Sequence, residues 1–244
     1  MLVEQAVFTS TNAGHLHGYQ LVARSKGITD SVAAELCRWS PGHDAMQSES
    51  VDTISVNFYP IQDSRFVLSS SCYGGPEYSR RGCRQIVTHI LVLTGEQFAR
   101  YHFNSFAVAD AATSSGALIL KLRLEAPMPQ LFLPDRPLGR MRSATSDPVF
   151  QRAIQLAGIK QPFAVIGAGS PENFAMTVLA GLEVEHRAEF SFSTCLKLTE
   201  QRPFQMQFFP AMEIRLENQL RKMGIRTLNA NGLVHSAAPI RTVV

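Results

Sequence analysis

Alternation of apolar and polar residues runs through the first half of the chain and predicts strands. Leu2–Thr9 and Gly18–Ser25 read as two strands joined by a turn rich in Gly, Asn and His. A helix is expected next, capped near Thr29 or Asp30. Val32, Ala33, Leu36 and Cys37 recur at helical spacing, and Pro41 closes the segment. Thr53–Tyr59 then alternates, with Ile54, Val56 and Phe58 on one face and Ser55, Asn57 and Tyr59 on the other, the pattern of a half-buried strand. Pro60–Ser64 reads as a hairpin loop into a strand over Arg65–Cys72. Gln85–Leu93 is mostly apolar, which predicts a central strand covered on both faces. Gly95–His102 is expected to be a short helix and Ala117–Leu124 a strand.

Residues 125–146 change character, with Pro127, Pro129, Pro134 and Pro137 close together. Proline resists both helix and central strand, so this stretch reads as an extended crossing segment or linker. Beyond it, Asp147-Pro148 opens a helix that runs through Ala157 and stops at Gly158. Pro162–Ile166 is a short buried strand, and Ser170-Pro171-Glu172 opens the next helix. Ala188–Leu198 and Pro203–Phe209 read as a hairpin around Thr199–Arg202. A last helix buries Leu216, Leu220 and Met223, and Ile225–Leu228 forms a final strand. From Pro162 onward the order is βαββαβ, the split-βαβ pattern. The expected fold is therefore α+β. It divides into a β-rich half with short helices over 1–124, the crossing segment 125–146, an α/β half over 147–229 and a loose tail over 230–244.

Composition narrows the class. The chain has 244 residues, 45% hydrophobic and 18% charged, as a folded globular protein does. Its net charge of +3 is too small to imply nucleic-acid binding. No apolar run approaches the ~18 residues that span a bilayer. The N-terminus reads as a strand rather than a signal peptide, so a cytoplasmic protein is expected. Cys37, Cys72, Cys83 and Cys195 include no C-x-x-C pair and no zinc spacing with the histidines, so reduced thiols and no metal are expected. Cys37 is expected to pack on a helix face and Cys195 in a strand.

The richest chemistry lies between two apolar runs, in Tyr73-Gly-Gly-Pro-Glu-Tyr-Ser-Arg-Arg-Gly-Cys-Arg84. Its three glycines permit backbone shapes that other residues resist. Amide N–H groups and guanidinium forks there suit an anion. Tyrosine and arginine are equally the usual anchors of a protein interface. Candidate ligand- or partner-binding residues are Tyr73, Gly74, Gly75, Glu77, Tyr78, Arg80, Arg81, Arg84 and, on the following strand, His89. For His89 a core or edge histidine bonded to backbone is the simpler reading. His43 reads as pairing with Asp44 or capping a turn. Gly167-Ala-Gly-Ser170 sits where a dinucleotide fingerprint would, but lacks the third glycine and the acidic partner, so a tight turn accounts for it. H-E-x-x-H, G-x-S-x-G and P-loop motifs are absent, no nucleophile–base set is recognisable, and no cofactor is expected. Trp39 is expected to anchor the first helix on the sheet, and Phe190, Phe192, Phe204, Phe208 and Phe209 to pack in the core, with a partner surface as the alternative.

Several stretches together resemble one family: Glu4–Ser10, Gly18–Ser25, Arg38-Trp-Ser-Pro-Gly-His-Asp44, Ser55–Phe58, Gly75-Pro-Glu-Tyr-Ser79 with Arg81-Gly82, Thr88-His89, and Glu189–Thr194. They resemble the N-terminal domain, type 2, of bacterial GTPase-associated protein 1. The resemblance implies an adaptor or regulator beside a small GTPase, in NTP-dependent multi-gene systems linked to defence. It carries over no catalytic residues. Proteins of this family usually continue into further domains, so a chain ending at Val244 reads as a fragment, a split component or a stand-alone domain. The expected function is a non-enzymatic interaction module with a protein partner, a GTPase or companion component. The alternative is an anion- or nucleotide-binding domain or hydrolase built on residues 73–84.

Overall fold

The computed structural model describes residues 1–13, 16–77, 83–118, 127–135 and 146–233. Outside them fall Tyr78, Arg80 and Arg81 of the candidate loop, residues 119–124 of the expected strand, 125–126 and 136–145 of the proline-rich stretch and 234–244 of the expected tail. Among the described residues the chain folds as an α+β protein around one mixed sheet of ten strands. The strands are β1 (Leu2–Ala13), β2 (Leu16–Arg24), β3 (Ile54–Ile61), β4 (Arg65–Pro76), β5 (Arg84–Thr94), β6 (Leu131–Phe132), β7 (Phe163–Ile166), β8 (Phe192–Ser193), β9 (Met206–Phe209) and β10 (Arg226–Asn229). The helices are α1 (Asp30–Trp39), α2 (Gly95–Ala99), α3 (Ser105–Ser114), α4 (Pro148–Gly158), α5 (Pro171–Gly181), α6 (Val184–Arg187) and α7 (Ile214–Lys222).

The lateral order is β10-β7-β9-β8-β3-β4-β5-β1-β2, with β6 added to β1. Strands β3, β4, β5, β1 and β2 form an antiparallel meander-like block. Strands β8, β9, β7 and β10 run parallel to one another. The blocks meet where β8 pairs antiparallel with β3 through Asn57–Ser193 and Phe58–Phe192. The expected βαββαβ order is present as β7, α5, β8, β9, α7 and β10, with α6 inserted after α5. The 188–209 hairpin is corrected. β8 and β9 are parallel, so the 12 residues between them must cross from one end of the sheet to the other rather than turn back.

Alternating side chains place two cores on opposite faces. Phe58, Phe66, Leu68, Leu91 and Leu93 face α2–α5, whereas Tyr59, Val67, Ile90 and Val92 face α1 and Phe204. The expectation that β5 is covered on both sides therefore holds. Helix α1 starts at Thr29, whose hydroxyl accepts from the Val32 amide, and it buries Val32, Leu36 and Trp39 at helical spacing. Trp39 anchors it, stacked on Tyr59 at 4.3 Å with an edge contact to Phe204 at 5.1 Å. Asp147 and Ser170 cap α4 and α5, each followed by Pro at the first position.

Other differences have local causes. The polar face of β3 is buried, not solvated. Ser55 and Asn57 bond each other, Asn57 reaches Ser69, and Ser55 Oγ accepts from the Cys195 amide. The 194–205 segment lies over that face and replaces water. Helix α3 carries alanines on most sides and is buried on most sides, so it lacks the polar stripe that marks an amphipathic helix. In α7 only Leu220 is fully buried; Leu216 and Met223 are partly covered. Cys37 is exposed on α1, and Cys195 lies just past β8. Residues 127–135 run extended beside β1, where β6 pairs with Leu2 and Val3 and the Leu133 amide donates to the Met1 carbonyl. Among the described residues, no helix is long and apolar enough to cross a membrane.

Candidate functional site

The hairpin β4–β5 carries strand pairing into the segment expected to be loop. Tyr73 pairs with Ile86; after a register shift, Pro76 pairs with Arg84. The Glu77 amide then donates to the Cys83 carbonyl at 3.0 Å, which sets Glu77 and Cys83 opposite each other at the mouth of the hairpin. Gly74 and Gly75 have ordinary negative φ, so neither uses the left-handed shapes that glycine permits. Gly74 is needed for space, since a Cβ there would meet Val87 Cγ2 at 2.9 Å, whereas Gly75 faces open space.

Tyr73 and Arg84 form a fixed pair. The Tyr73 hydroxyl donates to the Ser48 carbonyl at 3.0 Å. The Arg84 guanidinium lies 5.9 Å from the Tyr73 ring centre, in cation–π range, and its Nη1 donates to the Glu49 carbonyl at 2.9 Å. Burial pushes the Tyr73 hydroxyl pKa up, helped by the carboxylates of Glu49 and Asp44.

The opposite wall is the α1–β3 connection. Its turn places Asp44 at φ 56°, a left-handed conformation that Asp tolerates better than most residues. Residues 195–197 clamp it from the second half of the chain. Lys197 Nζ donates to Asp44 Oδ1 at 2.7 Å, and the Lys197 amide to the Ala45 carbonyl at 2.8 Å. The Gln47 side-chain amide donates to the carbonyls of Leu196 and Phe208, at 2.7 and 2.6 Å. Sequence reasoning did not single out Gln47 or Lys197, because what they touch lies about 150 residues away along the chain.

Between these walls lies a cavity of about 400 Å³ lined by His43, Asp44, Glu49, Tyr73, Cys83 and Arg84. His43 Nδ1 stands 3.4 Å from Glu77 Oε2. Donor atoms of His43, Glu77 and Cys83 all lie within 4.8 Å of one another. Beneath them the Tyr19 hydroxyl accepts from the Ile86 amide at 3.0 Å, and burial raises its pKa. The imidazole that folding brings to Glu77 and Cys83 is thus His43, from 34 residues upstream. His89 lies mid-sheet in β5, flanked by Val7 and Ser70, and is buried. It is odd-numbered on a strand whose even positions, Arg84 and Ile86, face the cavity side, so it points to the opposite face.

The described lining residues are of mixed charge. Two carboxylates face one guanidinium that already donates to a carbonyl, so the described residues do not form a cradle for a polyphosphate. The Gly167 turn offers none either. Gly167 has φ +75°, and the Asn231 side chain fills the space over its Cα that a bound pyrophosphate would need. The chemistry that does converge is imidazole, carboxylate and thiol.

No curated protein and no solved structure matches the chain. Residues 2–121 match the family model described as GTPase-associated protein 1, N-terminal domain type 2. That span contains α1, the strands β1–β5 and every described residue of the cavity wall. Residues 2–121 of this chain belong to the family of type 2 N-terminal domains of GTPase-associated protein 1.

Proposed function

We propose that the chain is a non-enzymatic docking module that works beside a GTPase or a companion component of an NTP-dependent bacterial system, in the cytoplasm. The observation that carries this reading is the family match over residues 2–121, whose description names association with a GTPase. The geometry supports a contact surface at the cavity mouth. Tyr73 and Arg84 are held by backbone carbonyls of Ser48 and Glu49, so they lose little freedom on binding. Tyrosine and arginine held in this way are typical interface anchors. Among the described lining residues, Asp44 and Glu49 stand against Arg84, a mixed charge that suits a protein ligand.

The test uses the full chain as bait in extracts of its source cells, with mass spectrometry of what co-purifies. A GTPase or its companion should be enriched, and Arg84→Ala or Tyr73→Ala should cut that enrichment by about tenfold or more. Calorimetry with GTP and GDP on the chain alone should show no binding at micromolar concentration. Micromolar nucleotide binding that Arg84→Lys weakens and Tyr73→Ala leaves intact would replace this reading with the anion-binding one.

A further inference from the structure

We propose that His43, Glu77 and Cys83 form a binding site for a zinc-class divalent cation, which clasps the α1–β3 connection to the mouth of the β4–β5 hairpin. The three side chains offer one nitrogen, one oxygen and one sulfur donor, all within 4.8 Å of one another. Zinc binds such donors at ~2.0–2.3 Å, and tetrahedral geometry then sets them ~3.3–3.8 Å apart. The 3.4 Å separation of His43 Nδ1 and Glu77 Oε2 falls in that range. It is longer than the ~2.7–2.9 Å of a charge-assisted hydrogen bond. The mixed donor set selects the metal. Magnesium and calcium prefer all-oxygen sites, whereas thiolate with imidazole suits zinc and its borderline-soft neighbours.

The scaffold brings the donors together without help from the cation. Glu77 and Cys83 are joined by the 3.0 Å backbone hydrogen bond that follows the Pro76–Arg84 pair. His43 sits in a turn held by Lys197 on Asp44 and by Gln47 on Leu196 and Phe208. The Glu77 carboxylate is 10% exposed and the His43 side chain 53%, so an inner ligand is paired with an open entry path. His43 and Cys83 also line the cavity, so the cation would sit in its wall. Three protein donors leave the fourth position to water or to a donor entering from the cavity. As the sulfur becomes a ligand, the thiol proton passes to solvent. No metal spacing was evident in the sequence, because His43 is 34 residues from Glu77 and the signal exists only after folding. The site does not depend on the docking function, and its test does not involve a partner.

The untagged full chain, reduced and stripped with a chelator, is titrated with zinc and with cobalt. The expected result is one ion per chain, a thiolate-to-cobalt charge-transfer band in the near ultraviolet, and a rise in melting temperature with zinc. His43→Ala, Glu77→Gln and Cys83→Ser should each weaken zinc binding by more than about 100-fold, since even neighbours of a ligand matter by 10–100-fold. Cys72→Ser and Cys195→Ser should change it less than about threefold. His43 is exposed, so His43→Ala is expected to keep the wild-type circular dichroism and remains informative if Glu77→Gln fails to fold. Zinc binding that persists in His43→Ala or Cys83→Ser overturns the proposal, as does its absence at micromolar zinc. Rapid alkylation of Cys83 that zinc does not slow and His43→Ala abolishes also overturns it, in favour of a thiolate–imidazole pair.

Discussion

Trp39 is the only tryptophan in the chain and the last residue of α1, so one substitution tests how that helix is held. Only 9% of it is exposed; its ring lies flat on Tyr59 and edge-on to Phe204. A tryptophan buries ~150–250 Å², worth about 4–6 kcal/mol at 25 cal/mol per Å². An opposing effect reduces this. Trp39 Nε1 is buried and finds no hydrogen-bond partner among the described residues, so the native state bears an unmet donor of about 1–3 kcal/mol. Trp39→Ala removes both, and the net loss is expected near 3 kcal/mol, the low end for such truncations. For a chain of this size that lowers the melting temperature by roughly 6–12 °C. Trp39→Phe keeps an aromatic ring and discards the unmet N–H, so it should stay within about 1 kcal/mol of wild type. Urea and thermal unfolding followed by far-ultraviolet circular dichroism compare all three proteins. Wild-type tryptophan emission, blue-shifted in the fold, gives a second probe. A Trp39→Ala midpoint indistinguishable from wild type would refute the reasoning, as would a Trp39→Phe loss equal to that of Trp39→Ala.

Burial, with a smaller contribution from Asp110, raises the pKa of Glu172. The folded state therefore favours the protonated carboxyl, and the stability this confers is present at acid pH and fades as pH rises through the raised value. Glu172→Gln should raise the melting temperature at pH 7 and converge with wild type toward pH 4. Gly74→Ala should destabilise by about 1–3 kcal/mol through the clash with Val87, with Val87→Ala restoring part of it, while Gly75→Ala stays within about 0.5 kcal/mol; chemical denaturation resolves these. Asn57→Ala should destabilise by about 1–3 kcal/mol by removing the acceptor of the buried Ser55 hydroxyl and the donor to Ser69 Oγ, and a double-mutant cycle with Ser69→Ala should show non-additivity.

Local signals carried much of the fold. The caps at Asp147 and Ser170, the helix start near Thr29 or Asp30, the alternation of β3 and the apolar run of β5 could be read directly, because each depends on neighbours within a few residues. Strand direction could not. Two apolar runs separated by Thr199–Arg202 look alike whether the chain turns back or crosses over, and only the partner strands β3 and β7 decide it. The burial of Ser55 and Asn57 was hidden for the same reason, since what covers them comes from residues 193–195. At the candidate site, Tyr73, Glu77 and Arg84 were visible as an unusual cluster of residue types. His43 was visible too, but its distance to Glu77 is set by a turn and a clamp that lie far apart in sequence.

The pairing of β3 with β8 also imposes a timetable on synthesis. β8 follows β3 by about 130 residues, and translation at ~5–20 residues per second takes roughly 7–26 s to cover them. Once β5 is made, β1–β5 can close on one another, while the outer edge of β3 waits for its neighbour with its backbone donors and acceptors open to any passing strand. Ser55 and Asn57, in the first half of that strand, keep it wettable before they become the polar seam of the finished sheet. A nascent chain stalled just short of residue 192 would have its first five strands in place and a growing risk of joining the wrong one.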